Sequence, residues 1–121
     1  MNWCDIIFVG DFLVIRCDNI NSLVDCYIKE DKREELWNLA FDYGNEIDLT
    51  KIANYYISVR DSFHICELLS IVSNYLDLDY LFDSIVLTND KEFMFWILNN
   101  GTIKSIIDYK YFSKLEDVCR N

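Results

Sequence analysis

The feature that most constrains the fold is an apolar stripe at helical spacing in the middle of the chain. Between Ser62 and Leu76, apolar side chains recur every three or four residues, at Ile65, Leu68, Leu69, Val72, Tyr75 and Leu76. This spacing places them on one face of an α-helix, and such a face must be buried against other elements. The stripe therefore predicts a helix at the centre of a hydrophobic core.

Shorter apolar patterns on either side predict the remaining elements. Two apolar runs joined by Gly10-Asp11 predict a β-hairpin from Asp5 to Arg16. Alternating polarity from Glu46 to Leu49 predicts one more short strand. The other apolar patterns predict helices, including an extra C-terminal group after Asp90, and no internal repeat is visible. The predicted class is α+β, with a short β-hairpin and one short strand packed against a mainly helical cluster.

The charge balance restricts the partners of the chain. Its 121 residues include 21 acidic and 11 basic side chains, which gives a net charge of −10 spread along the sequence. A field of this sign repels phosphate, so we expect no nucleic acid and no membrane surface as a partner. A basic patch on another protein would be attracted, although the same charge also serves solubility alone. With no secretory signal and no membrane-spanning run, we expect a cytoplasmic or nuclear protein.

Cysteine, histidine and glycine usage argues against a catalytic or metal site. The five cysteines are irregularly spaced and include no Cys-x-x-Cys pair, which is typical of free thiols in a reducing compartment. His64 is the single histidine, and Cys66, two residues later, would point in another direction on a helix. The three glycines lie far apart and form no phosphate-binding loop. We therefore expect no catalytic residue, no cofactor and no metal.

Aromatic residues supply both a core and a candidate interface. Phe, Tyr and Trp make up 16% of the chain, and each buries a large area. Trp37 and Trp96 fall within apolar patterns and are expected in the core, with anchoring of an interface as the alternative. Aromatic side chains left on the surface would favour contact with another protein. The residues thus predict a chain that acts by binding a protein.

The order of the elements resembles that of BTB/POZ domains. Residues Cys4-Asp5-Ile6-Ile7-Phe8-Val9 resemble the opening strand of that family, and Ile47-Asp48-Leu49 resembles its third strand. The most specific stretch runs from Ile65 to Leu81. There, Glu67-Leu68-Leu69 and Asn74-Tyr75-Leu76-Asp77-Leu78 resemble a helix pair that is also seen in Skp-type adaptors. The resemblance spans residues 4 to 87.

The resemblance implies a division, a function and a set of contact residues. It implies a BTB/POZ-like domain over residues 1–88 and appended C-terminal helices over residues 89–121. The implied function is a non-enzymatic, self-associating protein-interaction module and, more specifically, an adaptor for the cullin scaffold of a ubiquitin ligase. The implied dimer face draws on Trp3, Phe8, Leu23 and Tyr27. The implied ligase-facing surface draws on Glu46, Asp48, Tyr55, Asp77, Asp79, Tyr80 and Phe93.

An all-helical host-interaction protein is the alternative. A Bcl-2-like decoy that binds a host signalling or apoptosis protein would share the size, the acidity and the lack of catalytic residues. It would require the stretch from Asp5 to Arg16 to be helical. Abundant Asn, Ile, Tyr and Lys with scarce Gly, Ala and Pro are associated with AT-rich genomes, including those of large DNA viruses. For a viral source, the expected location is the cytoplasm of the host cell.

Overall fold

Two strands and eight α-helices make up the described chain. The computed structural model describes the backbone of residues 2–9 and 12–120 and the side chains of residues 20–120, so the predicted turn at Gly10-Asp11 lies outside it. Strands β1 (Asn2–Val9) and β2 (Phe12–Asn19) pair antiparallel as a two-stranded ribbon. The helices are α1 (Ile20–Lys29), α2 (Arg33–Tyr43), α3 (Leu49–Ser58), α4 (Ser62–Val72), α5 (Leu78–Leu87), α6 (Lys91–Leu98), α7 (Gly101–Ile106) and α8 (Tyr109–Arg120), with a 3-10 helix (Ser73–Tyr75) after α4.

The predicted α+β class is wrong. Residues 20–120 are 80% helical and contain no strand. The stretch from Glu46 to Leu49, predicted as a strand, is a turn that leads into α3. Its alternating pattern arises because Ile47 is buried just before the helix and Leu49 is buried in its first turn. The helical content agrees with the fold of the all-helical alternative, except that the described part of the stretch from Asp5 to Arg16 lies in β1 and β2. As a function, the decoy stays a prediction.

The helices form hairpins that recur with a period of 29 residues. The first helices α1, α3 and α5 begin at Ile20, Leu49 and Leu78, and the second helices α2, α4 and α6 begin at Arg33, Ser62 and Lys91. Each start lies 29 residues after its equivalent in the preceding hairpin. The chain therefore contains three copies of one helix–turn–helix unit, an internal repeat that its sequence does not reveal.

Each hairpin closes through the same backbone conformation. Asp31, Arg60 and Asn89 have positive φ angles of 56°, 57° and 52°, and they are the non-glycine residues of the described chain that do so. In each, the N–H donates to the carbonyl oxygen three residues earlier, at 3.0 to 3.1 Å. In the first two hairpins the next N–H also reaches the carbonyl five residues earlier, at 2.9 Å. This pair of bonds is a Schellman closure, which ends one helix and directs the chain into the next.

Equivalent positions are buried in all three hairpins. The fully buried equivalents are Val24, Ala53 and Phe82 in the first helices and Leu36, Ile65 and Met94 in the second helices. Burying one such large aliphatic or aromatic side chain contributes about 1.5–3 kcal/mol. The repeat thus preserves burial and apolar character, while the identity of the residue changes from copy to copy.

Packing divides the chain into two compact units, residues 1–48 and 49–121. In the first unit α1 packs against α2. In the second unit α3 packs against α5 and α4 against α6, so that two hairpins stack in the same orientation. Helix α8 contacts both α5 and α6, and α6 to α8 therefore belong to one unit with α3 to α5. The boundary after residue 88, which the BTB/POZ resemblance implied, stays a prediction.

Truncation of Leu69 tests the position of α4 in the core. The side chain of Leu69 is fully buried, so Leu69→Ala leaves a cavity and should lower the free energy of unfolding by about 2–5 kcal/mol. Leu87→Ala is the matched control, because Leu87 is 84% exposed, and its effect should stay within about 0.5 kcal/mol. Equilibrium unfolding in urea measures both. Equal effects of the two substitutions would contradict a central position of α4.

Candidate functional site

A groove lies at the tips of the two hairpins of the second unit. Its volume is about 330 Å³, and the residues that line it are Arg60, Ser62, Asp90, Glu92, Phe93 and Trp96. Arg60 is the left-handed residue between α3 and α4, and Asp90 is the N-cap of α6. The stacking of the hairpins thus brings two equivalent turns side by side. We call this feature the tip groove.

An ion pair joins the two turns across the tip groove. Arg60 Nε lies 3.4 Å from Asp90 Oδ2. Asp90 Oδ1 also accepts the N–H of Phe93 at 3.1 Å, and Arg60 Nη1 donates to the carbonyl of Ile57 at 2.6 Å. Both charged side chains are partly exposed, and an exposed pair contributes only about 0.2–1 kcal/mol. The hydrogen bonds of Arg60 to Ile57 and of Asp90 to Phe93 orient the two side chains toward each other, and the ion pair adds little to the stability of the fold.

Two aromatic side chains project from α6 beside the tip groove. Trp96 is 58% exposed and Phe95 is 54% exposed. Their rings meet edge to face, with centroids 5.9 Å apart. The predicted core position of Trp96 is wrong, because α6 is apolar on both faces and buries Met94 and Ile97 on the inner one. The sequence pattern assigns the whole apolar run of α6 to the core, so it does not predict that this aromatic pair is exposed.

His64 is held by contacts that serve the start of α4. Asp61 accepts the N–H of His64 at 3.0 Å through one carboxylate oxygen, and its other oxygen lies 2.7 Å from the ring Nδ1. The imidazole also stacks on Tyr56, with ring centroids 5.1 Å apart. An aspartate that accepts an N–H of the first turn is a common helix cap. These contacts give His64 a structural role at the start of α4.

The thiol of Cys66, two residues after this histidine, is unsuited to nucleophilic chemistry. Cys66 is buried, and burial raises the pKa of its thiol to about 12, with a smaller contribution from the negative charge of Glu67. A contact with Asn100 opposes this rise in the pKa. The thiolate is the reactive form of cysteine. At neutral pH Cys66 therefore remains a protonated, buried side chain.

The predicted dimer residues lie in the first unit. Trp3 and Phe8 belong to β1, and their side chains lie outside the described part. Leu23 and Tyr27 are half-buried on α1. As an interface set, these residues stay a prediction.

The predicted ligase-facing residues fall into two groups. Those at the start of the set are Glu46 and Asp48, which are exposed, and Tyr55, whose hydroxyl is enclosed with no hydrogen-bond partner among the described side chains. Those later in the chain are Asp77, the N-cap of α5, exposed Asp79, half-exposed Tyr80 and buried Phe93. Phe93 is the member that lines the tip groove. Sequence reasoning did not single out Arg60, because no local pattern marks a left-handed arginine.

Two further features are absent from the part of the chain that the structure describes. No group of three or more His, Cys, Asp or Glu side chains there is placed to hold a metal ion. None of its helices combines the length and the hydrophobicity that a membrane span needs. The longest, α8, has 12 residues.

Comparison with known proteins gives a distant relative of undefined function. The chain is 26% identical over 107 residues to an uncharacterized ATP-binding protein of Methanocaldococcus jannaschii. The match covers 80% of this chain and 31% of the relative, so the chain spans less than a third of that protein's length. No protein-family profile matches the chain, and no solved structure matches it significantly. The resemblance to BTB/POZ domains stays a prediction, without the α+β fold that it implied.

Alkylation of the native protein tests the environment of Cys66. With a pKa of about 12, its thiolate fraction near pH 8 is roughly one in ten thousand. Iodoacetamide should therefore modify Cys66 at least about 100-fold more slowly than half-buried Cys119. Mass spectrometry of tryptic peptides separates the two residues, and in urea both should react alike. Equal rates in the native protein would show that Cys66 is accessible and reactive.

Proposed function

We propose that this chain is a non-enzymatic, protein-binding segment built from helical hairpin repeats. The tip groove and the exposed Phe95–Trp96 pair are its contact site in the second unit. The observation that carries the proposal is a tryptophan that is 58% exposed beside a fixed Arg60–Asp90 ion pair. Tryptophan and arginine are enriched among the residues that dominate binding energy at protein interfaces.

The lining of the tip groove favours a protein partner over a small molecule. Four of its six side chains are polar or charged, and two are aromatic. Pockets for small molecules are mostly apolar and enclose their ligand. An aromatic centre with a polar rim is typical of a protein interface. Trp96 and Phe95 supply that centre, and Arg60, Asp90 and Glu92 supply the rim.

The two layers of the second unit differ in a way that supports this site. In the first-helix layer the side-chain amide of Asn54 donates to the Tyr80 hydroxyl at 3.1 Å, and Lys114 of α8 pairs with Asp83 of that layer at 2.9 Å. The second-helix layer exposes four large apolar residues, Phe63, Ile71, Phe95 and Trp96, whereas the first-helix layer exposes Tyr80 and Leu87. Stacked helical repeats commonly bind partners over an extended surface. The second-helix layer carries more of the exposed apolar residues, including the adjacent Phe95 and Trp96, and this supports placing the contact site there.

Finer functional assignments remain predictions. Self-association and binding of a cullin scaffold were implied by the BTB/POZ resemblance, and the Bcl-2-like decoy was its alternative. The tip groove does not discriminate among these, because each requires only a protein partner. A cytoplasmic or nuclear location is likewise a prediction.

ATP binding, which the description of the archaeal relative names, is not part of our proposal. The matched segment covers 31% of that relative, so its nucleotide site need not lie in the shared part. The three glycines of this chain are Gly10, Gly44 and Gly101, and they form no glycine-rich loop. Such loops supply the backbone N–H groups that commonly hold nucleotide phosphates.

Thermal unfolding with nucleotide tests the exclusion of ATP. A ligand that binds the folded state raises the melting temperature in proportion to the logarithm of its concentration. We expect millimolar Mg–ATP to shift the melting temperature by less than about 1 °C, and millimolar Mg²⁺ with sodium sulfate is the matched control. A rise that grows with ATP concentration and is absent in the control would establish nucleotide binding.

Photo-crosslinking from Trp96 tests the tip groove. A photoreactive phenylalanine analogue at position 96 should crosslink one protein in extracts of the source cells, whereas the same analogue at position 87 should not. For that partner, purified, Trp96→Ala should weaken binding at least about 30-fold, as expected of a hot-spot tryptophan. Leu87→Ala should change the dissociation constant by less than about twofold. Unchanged affinity of a folded Trp96→Ala variant would refute the site.

A further inference from the structure

We propose that the first unit carries a second docking surface, the outer face of α2, and that its occupant is an arginine-rich amphipathic segment of another protein. The α2 face consists of Trp37 and Phe41 with the acidic residues Glu34, Glu35 and Asp42. It lies in residues 1–48, whereas the tip groove lies in residues 49–121. The inference is therefore independent of the function proposed for the tip groove.

The centre of the α2 face is a stacked aromatic pair. The rings of Trp37 and Phe41 lie 5.4 Å apart with an angle of 17° between their planes. Four residues apart on a helix, the two side chains are neighbours on one face. Phe41 is 56% exposed, and Trp37 is half-buried.

Helix α2 carries apolar side chains on its outer side as well as on its inner side. Its inner side buries Leu36, Leu39 and Ala40, and its outer side carries Trp37 and Phe41. A surface helix of a globular protein normally presents one apolar stripe, to the core, and a polar opposite face. The second apolar side of α2 is therefore available to something outside its own hairpin.

The repeat itself does not require this aromatic pair. The equivalents of Phe41 in the next two hairpins are Ser70 and Asn99, and those of Trp37 are Cys66 and Phe95. Positions that are buried in every hairpin remain apolar in all three copies, as with Leu36, Ile65 and Met94. The stacked pair therefore occurs only in the first hairpin, and the hairpin repeat does not require it.

The charges around the pair select a cationic occupant. Glu34, Glu35 and Asp42 are all exposed, and Glu35 and Asp42 have no ion pair with any side chain that the structure describes. The neighbouring cations are already engaged, since Arg33 pairs with Asp31 at 2.8 Å and Lys32 with Glu30 at 3.3 Å. The local field at the α2 face is therefore negative, and it attracts basic segments and repels acidic ones.

Arginine fits this surface better than lysine does. A guanidinium group stacks on an aromatic ring and at the same time donates paired hydrogen bonds to a carboxylate. The α2 face offers both an exposed ring and carboxylates within one or two helical turns of it. Apolar residues of the same segment would cover Trp37 and Phe41, which is why an amphipathic segment is inferred rather than a purely basic one.

A peptide titration tests the inference on the intact chain. The probe is a labelled synthetic peptide of about 18 residues with arginine and leucine at helical spacing, and the controls replace every arginine by lysine or by glutamate. Fluorescence anisotropy should show binding in the order arginine, lysine, glutamate, weakening at least about fivefold between about 50 and 300 mM NaCl. Phe41→Ala should weaken binding of the arginine peptide at least about 10-fold.

Two further variants separate this surface from the tip groove. Glu35→Gln combined with Asp42→Asn should keep the fold, weaken binding of the arginine peptide and flatten its salt dependence. Trp96→Ala should leave that binding unchanged. Equal binding of the arginine and glutamate peptides, or unchanged binding by both α2 variants, would overturn the inference. Loss of binding with Trp96→Ala alone would also overturn it and would assign the peptide to the tip groove.

Discussion

Closure of each helical hairpin through a left-handed residue is the constraint on which the rest of the structure depends. At Asp31, Arg60 and Asn89 the chain ends one helix and begins another within three residues. A non-glycine residue in this conformation costs about 1–2 kcal/mol, which packing of the two helices must offset. Because the closure recurs every 29 residues, each hairpin offers its buried side chains at equivalent positions, and stacking of hairpins in the second unit follows.

The same closure positions the candidate site. It places Arg60 at the tip of one hairpin, where the next hairpin begins its second helix with Asp90 as cap. The ion pair between them and the exposed face of α6 thus follow from hairpin stacking and not from a motif in the sequence. The outer face of α2 differs in origin, since its aromatic pair and its carboxylates belong to one copy only. The two proposed binding surfaces thus have different origins, one in the stacking of copies and the other in a copy that departs from the shared pattern.

The sequence predicts the centre of this structure well and its outer parts poorly. The predicted stripe is buried from Ile65 to Val72, because helical periodicity acts locally, but the α-helix ends at Val72 and Tyr75, also predicted in the stripe, is 61% exposed. The strand predicted from Glu46 to Leu49 fails, because a turn followed by a helix also buries alternate residues there. The sequence does not reveal the repeat, because equivalent positions of the three hairpins stay apolar while the residue at each position changes. The sequence does not predict the exposure of Trp96, because apolar residues on every side of a short helix do not indicate which side is buried.

Backbone nuclear magnetic resonance of the uniformly labelled chain tests the central claim, which is the 29-residue hairpin repeat. Positive φ gives a distinct three-bond HN–Hα coupling, a strong HN–Hα contact within the residue and characteristic carbon shifts. We predict these signs at Asp31, Arg60 and Asn89 together, with helical shifts on both sides of each. A negative φ at Arg60 or Asn89, with helical shifts continuing through the residue, would indicate one continuous helix in place of the two paired helices. That result would contradict the repeat and the tip groove with it.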